Sequence, residues 1–139
     1  MLSYQFSEDI LCAGQPVESD LNELKSRGFR SIVNLRPQNE PGQIPQAADI
    51  ANGLGLDYHH LPISGPGDLN EENVTRFDAL LKEVSLPTLV HCGSSNRVGA
   101  LFALRAVYVN RKDESEALQE GRRAGLTALE PVVKHILGL

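Results

Sequence analysis

There is no tryptophan in this chain of 139 residues, and only three tyrosines and four phenylalanines. A binding cleft clamped by several aromatic rings has little to be built from. Cysteine is as scarce, with Cys12 and Cys92 alone, which excludes a small fold stapled by several disulfides. A single bridge between the two is formally possible, but in a reducing compartment two free thiols are expected. No apolar run approaches the ~20 residues that cross a bilayer. Residues 1–9 have neither the basic start nor the apolar stretch of a secretion signal, so the expected location is cytoplasmic, with no membrane partner. Positive charge is in deficit, 13 Lys and Arg against 18 Asp and Glu for a net charge of −5. A domain that lives on nucleic-acid backbones shows the opposite sign, which argues against nucleic acid as a partner.

What is present is ordinary for a globular domain: 41% apolar and 22% charged residues. The length suits one domain over residues 1–139 with one core region. Short apolar runs at 10–13, 31–35, 56–61 and 87–91 read as strands, with β-branched Ile32, Val33 and Val90 inside them. Between them lie helical patterns: one capped by Ser19 or Asp20 and ended by Gly28, one at 46–52 with Pro45 in its first turn, and one at 71–84. The last has an apolar stripe of Val74, Phe77, Leu80, Leu81 and Val84. Three further helices are predicted at 97–109, 114–124 and 128–137. Strands alternating with helices give right-handed crossovers, hence an α/β fold with a short, central, mainly parallel sheet flanked by helices on both faces. In such sheets ligands sit beyond the carboxyl ends of the strands, where the loops at 36–42, 62–70 and 92–97 meet.

The chemically informative stretch is Leu89-Val90-His91-Cys92-Gly93-Ser94-Ser95-Asn96-Arg97-Val98-Gly99. A buried strand ends at a cysteine, a Gly/Ser/Asn turn follows, and a helix begins at an arginine. The turn amides of Gly93, Ser94, Ser95 and Asn96, with the free N–H groups of the helix's first turn, converge where an oxyanion is attracted. That field stabilises a thiolate over a thiol, which makes Cys92 a nucleophile. Arg97 can hold two oxygens of a tetrahedral anion in its planar fork.

This segment resembles the phosphate-binding loop of the cysteine-dependent protein tyrosine and dual-specificity phosphatases, whose signature is His-Cys-x5-Arg-Ser/Thr. Upstream, Ala13-Gly14-Gln15-Pro16, Gly28-Phe29, Ile32-Val33-Asn34-Leu35-Arg36-Pro37 and Glu40 look like small bacterial phosphatase-like domains, including those called β-lactamase-hydrolase-like. The resemblance implies a tyrosine-phosphatase-like fold and hydrolysis of a phosphate monoester, carried by a protein or a small molecule, without metal or other cofactor. It implies a phosphocysteine on Cys92, phosphate held by Arg97 and the loop amides, and His91 supporting the loop. A general acid is expected from the loop after the 56–61 strand, where Asp68 is the candidate, with capping of the next helix as its other reading. Glu71 and Glu72 are further candidates. Arg36 is expected on the same rim, as a supporting charge paired with Glu40. Of His59 and His60, on alternate faces of a strand, one should point inward. Cys12 is expected to be packing.

Two features depart from the signature. Four residues, not five, separate Cys92 from Arg97, and Val98 stands where Ser or Thr is usual. The six-residue loop is similar to that of rhodanese-like sulfurtransferases, which carry a persulfide on the cysteine. A sulfurtransferase and a non-catalytic phosphate-binding module are therefore the alternatives.

Overall fold

A computed structural model describes all 139 residues. Five strands form one sheet in the order β1-β2-β5-β3-β4: β1 (Ser3–Gln5), β2 (Ile10–Ala13), β3 (Ser31–Asn34), β4 (Asp57–His60) and β5 (Thr88–His91). The last four are parallel, and β1 runs antiparallel along the outer side of β2. The helices are α1 (Glu18–Ser26), α2 (Ala47–Gly53), α3 (Glu71–Glu83), α4 (Asn96–Tyr108), α5 (Glu114–Arg123) and α6 (Glu130–Ile136), with a 3-10 turn at Pro66–Asp68. No helix is long and apolar enough to cross a membrane.

Both faces of the central strands are buried, because alternate residues point into two separate cores. Cys12, Val33 and Val90 join Phe77, Phe102 and the apolar side chains of α3 to α6. Leu11, Ile32 and Leu89 face the other way, onto Leu21, Leu24 and Ala51 of α1 and α2. This is why the strands read as continuous apolar runs rather than as an alternation. Helix α4 is buried from Val98 to Leu104. Its approach to the turn after α5 depends on Gly99, where a Cβ would lie 2.3 Å from the Leu126 nitrogen. The register aligns Ala13, His91, Asn34 and His60 in one row across the carboxyl ends of four strands.

The sequence-based boundaries shift at several places. Strand β1 was not expected, since its three residues are largely exposed and only pairing with β2 defines it. Helix α1 begins after Val17, so neither Ser19 nor Asp20 is its cap. Asp20 reaches back from the first turn and accepts from the Val17 amide at 2.8 Å. Pro45 lies ahead of α2, because Gln46 adopts the left-handed conformation before the helix starts. Helix α6 starts at Glu130, not 128; residues 127–129 form a turn before it, with the amides of Thr127 and Leu129 donating to the Asn96 side chain.

Candidate active site

The site forms where β5 ends. The Cys92 amide still belongs to the sheet and donates to the Ala13 carbonyl at 3.2 Å. The chain then turns away, with the Gly93 carbonyl accepting from the Gln15 amide at 3.0 Å and Ser95 in the left-handed conformation (φ 69°, ψ 2°). The Gly14–Gln15 segment lies so close that a Cβ on Gly14 would be 2.8 Å from the Gly93 oxygen. As a result, apart from the bridge between Gly14 and Ser94, the N–H groups of residues 93–98 have no hydrogen-bond acceptor in the protein. Ser95 and Val98 among them are fully buried. Buried amides without partners are costly, and a run of them at the start of α4 is an anion-binding nest. The free, buried thiol of Cys92 sits at its base.

Arg97 covers the nest. A Cβ on Gly93 would be 3.2 Å from its Nη2, so a side chain at 93 would crowd the guanidinium. Nη1 donates to Glu40 Oε2 and to the Ile63 carbonyl, both at 2.9 Å, and Nη2 donates to Glu40 Oε1 at 2.8 Å. Those contacts use one end of the fork. The edge formed by Nε and the remaining Nη2 hydrogen is left for a second, bidentate partner. The Glu40 hydrogen bond, and to a smaller degree the nearby Cys92, hold the Arg97 pKa above its ordinary value.

Glu40 is shared by two cations. Arg36, on the loop after β3, donates from Nε to Glu40 Oε1 at 2.7 Å, from Nη1 to Gln15 Oε1 at 2.7 Å and from Nη2 to the Pro41 carbonyl. The expected Arg36–Glu40 pair is present, with Arg36 buried and Glu40 half-buried. The Arg97 bond above all, then Arg36, lowers the Glu40 pKa to about 2 against the opposing effect of burial. Glu40 thus ties the nest arginine to the loop after β3. Sequence reasoning missed this, since nothing local to residue 40 indicates which distant cation it meets.

Ser95 and Asn96 turn their side chains away from the nest. Ser95 Oγ donates to the Ala124 carbonyl at 2.7 Å, and Asn96 Oδ1 accepts from the Thr127 amide, the Thr127 hydroxyl and the Leu129 amide at 2.9–3.1 Å. Gly125, at φ +105°, lies where a Cβ would be 2.6 Å from both Cβ and Oγ of Ser95. The 124–129 turn therefore buttresses the loop from behind, a role with no local signature in the sequence. Ser94 is exposed, and its hydroxyl accepts from Asn96 Nδ2 at 3.3 Å.

His91 is buried, and its Nδ1 donates to the Cys92 carbonyl at 3.2 Å. Burial lowers its pKa to about 4, so the ring is neutral around pH 7. It supports the loop backbone through that carbonyl. Asp68 closes its own turn: Oδ2 accepts from the Ser64 amide at 2.7 Å, and its carbonyl accepts from Asn73 Nδ2. The cap of α3 is Asn70, whose Oδ1 accepts from the Asn73 amide, and not Asp68. Glu71 and Glu72 fall in the first turn of α3, where Glu72 pairs with Arg76. His59 is the inward histidine, with Nε2 buried and unpartnered, while His60 Nε2 donates to the Arg36 carbonyl. Cys12 is wholly buried, and burial raises its thiol pKa far above the ordinary value, with Cys92 adding to the rise.

The arrangement is a thiol beside a run of amides and an arginine fork, donors of the kind that suit a tetrahedral oxyanion. Known proteins resemble this chain in fold and in sequence. A protein of Neisseria meningitidis has the same fold, with a TM-score of 0.80 at 21% identity, over 96% of this chain and 94% of that one. Kinase-associated phosphatase, crystallised with its catalytic-site cysteine replaced by serine, superposes with a TM-score of 0.68 at 19% identity, over 96% of this chain and 89% of that one. The beta-lactamase hydrolase-like protein of Agrobacterium fabrum is 32% identical over 128 residues, 90% of this chain but only 30% of that relative's length. Residues 4–109 match the model of one family, and the chain belongs to it: the phosphatase-like domain of the beta-lactamase hydrolase-like proteins.

Proposed function

We propose that this domain hydrolyses phosphate monoesters through a phosphocysteine on Cys92. The observation that carries the reading is the run of amides at 93–98 around the thiol, left without acceptors apart from the Gly14–Ser94 bridge, with the open edge of Arg97 beside it. A phosphoryl group has three equatorial oxygens, and hydrolysis needs them held while charge builds up. The nest and the Nε–Nη2 edge of Arg97 supply those donors. The Cys92 thiolate attacks phosphorus, an S–P bond forms, and the ester P–O bond breaks. Asp68, from the loop after β4, gives its proton to the departing oxygen. Water then attacks phosphorus, the S–P bond breaks, the thiolate leaves, and the water's proton passes to the Asp68 carboxylate. His91 and Arg36 act as positioning residues, through the Cys92 carbonyl and through Glu40. The fold shared with kinase-associated phosphatase, whose catalytic residue is a cysteine, supports the same role for Cys92.

The spacing of four residues between Cys92 and Arg97 favours a second reading, sulfur transfer through a Cys92 persulfide. Hydrolysis of an aryl phosphate across pH 5–8, run beside thiosulfate-to-cyanide sulfur transfer, separates the two. Phosphate release that disappears in Cys92→Ser, with the acid-dependent part of the profile lost in Asp68→Asn, is the expected result. Sulfur transfer without phosphate release would replace the first reading by the second. Anion binding with neither activity would make the domain a phosphate-binding module.

A further inference from the structure

Beside the nest, at the carboxyl ends of β3 and β4, lies a cavity of about 400 Å3 walled by Gln38, Glu40, Gln43, Gln46, Tyr58 and His60 among others. No lysine or arginine lines it. Glu40 is the partition: one side faces this cavity and its carboxylate meets Arg97 at 2.8–2.9 Å. The cavity therefore begins one side chain away from the guanidinium that faces the nest.

Its polar groups fall into two sets. Asn34 donates to Gln43 Oε1 at 3.0 Å and to the Tyr58 hydroxyl at 2.8 Å, and Gln43 donates to the Pro37 and Glu40 carbonyls, so these side chains form a rigid wall. The side chains of Gln38 and Gln46 are exposed and have no partner in the protein. The Tyr58 hydroxyl, accepting from Asn34, keeps its own proton to donate, and burial holds it in the phenol form by raising its pKa. His60 donates through Nε2 to the Arg36 carbonyl and leaves Nδ1 uncommitted. Gln46 stands in the left-handed region (φ 57°, ψ 37°), unusual for a residue with a side chain. Strained backbone of this kind concentrates at functional sites.

We infer that this cavity receives the leaving-group half of the substrate, and that this half is neutral and hydroxyl-rich, a sugar or another polyol esterified to phosphate. The inference rests on the phosphatase reading of the neighbouring nest. A second phosphate or a polyphosphate finds no uncommitted cation here, since the neighbouring guanidinium of Arg36 is spent on Glu40, Gln15 and the Pro41 carbonyl. A phosphotyrosine ring or a nucleobase is held by flat apolar faces, and Tyr58 is the cavity's one aromatic residue. Uncommitted carboxamides, a phenol and an imidazole nitrogen are donors and acceptors suited to hydroxyl groups.

The test is calorimetric titration of Cys92→Ser with inorganic phosphate, glycerol 2-phosphate and glucose 6-phosphate. Glucose 6-phosphate is expected to bind about tenfold or more tightly than inorganic phosphate, a preference that several hydrogen bonds supply. Adding Gln38→Ala and Gln46→Gly should bring that ratio near one. Glycine suits the left-handed backbone at 46, and both positions are exposed, so the fold is kept. Equal affinities in Cys92→Ser, or a preference that survives the two substitutions, would overturn the subsite. Aryl phosphate hydrolysis by the unsubstituted chain reads the parent proposal separately. Preference without turnover removes the phosphatase reading and leaves the subsite, whereas turnover without preference removes the subsite alone.

Discussion

Arg97 places both terminal nitrogens of its guanidinium on the carboxylate of Glu40, at 2.9 and 2.8 Å, across 57 residues of chain. Glu40 is itself held by Arg36, so the carboxylate that anchors the fork is fixed by a second, half-buried ion pair. In the proposed reaction the Nε–Nη2 edge is thereby kept free before any anion arrives, which is how preorganised charge contributes to catalysis.

Replacing Glu40 by Gln removes the charge that two guanidinium groups share. We expect kcat/KM for an aryl phosphate to fall about 10- to 100-fold through loss of alignment, with a lower melting temperature. The pairing should also resist acid. A carboxyl whose pKa falls from 4.5 to about 2 contributes stability that is present above pH 4.5 and lost as pH drops through 2. An increase in activity in Glu40→Gln would mean that the carboxylate competes with phosphate for Arg97 instead of orienting it.

His91 behaves in the opposite sense to the usual paired histidine. Its folded pKa of about 4 lies below the ordinary 6.5, so the unfolded chain binds the proton more readily. The neutral ring's contribution is complete above pH 6.5 and shrinks as pH falls towards 4, by an amount on the order of 3 kcal/mol. Urea denaturation at pH 7 and pH 4.5 measures the change, and His91→Asn should flatten it. An equal loss of stability in both proteins would remove His91 from the account.

Much of the fold and half of the site are legible in the sequence, and the division has a physical basis. Consecutive residues build the turn from Cys92 to Arg97, so a strand, a small-residue turn and a helix start announce it. Strands β3 and β5 are read from their apolar runs because helices cover both faces. Partners brought together by tertiary packing leave no such trace. Glu40 reaches Arg97 from the loop after β3, and Thr127 reaches Asn96 from 31 residues downstream. The turn before α6 is likewise held from outside, its Thr127 and Leu129 amides donating to Asn96. Strand β1 escapes notice because three exposed residues carry no pattern of their own.

The 124–129 turn offers a test of loop support that leaves every anion-facing group in place. In Gly125→Ala the new methyl meets Ser95 at 2.6 Å, on a backbone with φ +105°. In Asn96→Ala three donors lose their acceptor. Each change should destabilise the domain by about 1–3 kcal/mol. At temperatures where the variants stay folded, KM for an aryl phosphate should rise with the displaced nest. Asn96→Asp keeps the acceptor and should recover the stability. If Asn96→Ala matched the unsubstituted protein in KM and in melting temperature, the turn would not support the loop.

The residue after Arg97 decides which half of the proposed reaction is slow. Val98 is fully buried in the core, and Ser95 Oγ is committed to the Ala124 carbonyl, so neither provides a hydroxyl for the Cys92 sulfur. A thiolate without that hydrogen bond is a stronger nucleophile but a poorer leaving group. Formation of the phosphocysteine should then outrun its hydrolysis. Stopped-flow mixing with an aryl phosphate is expected to show a burst of aryl alcohol approaching one equivalent per chain, followed by a slower steady state. Acid quenching during the steady state should recover phosphate bound to protein, and Cys92→Ser should abolish both signals. Release that is linear from the first turnover would place the slow step before the intermediate, and the lost hydroxyl would then have no kinetic consequence.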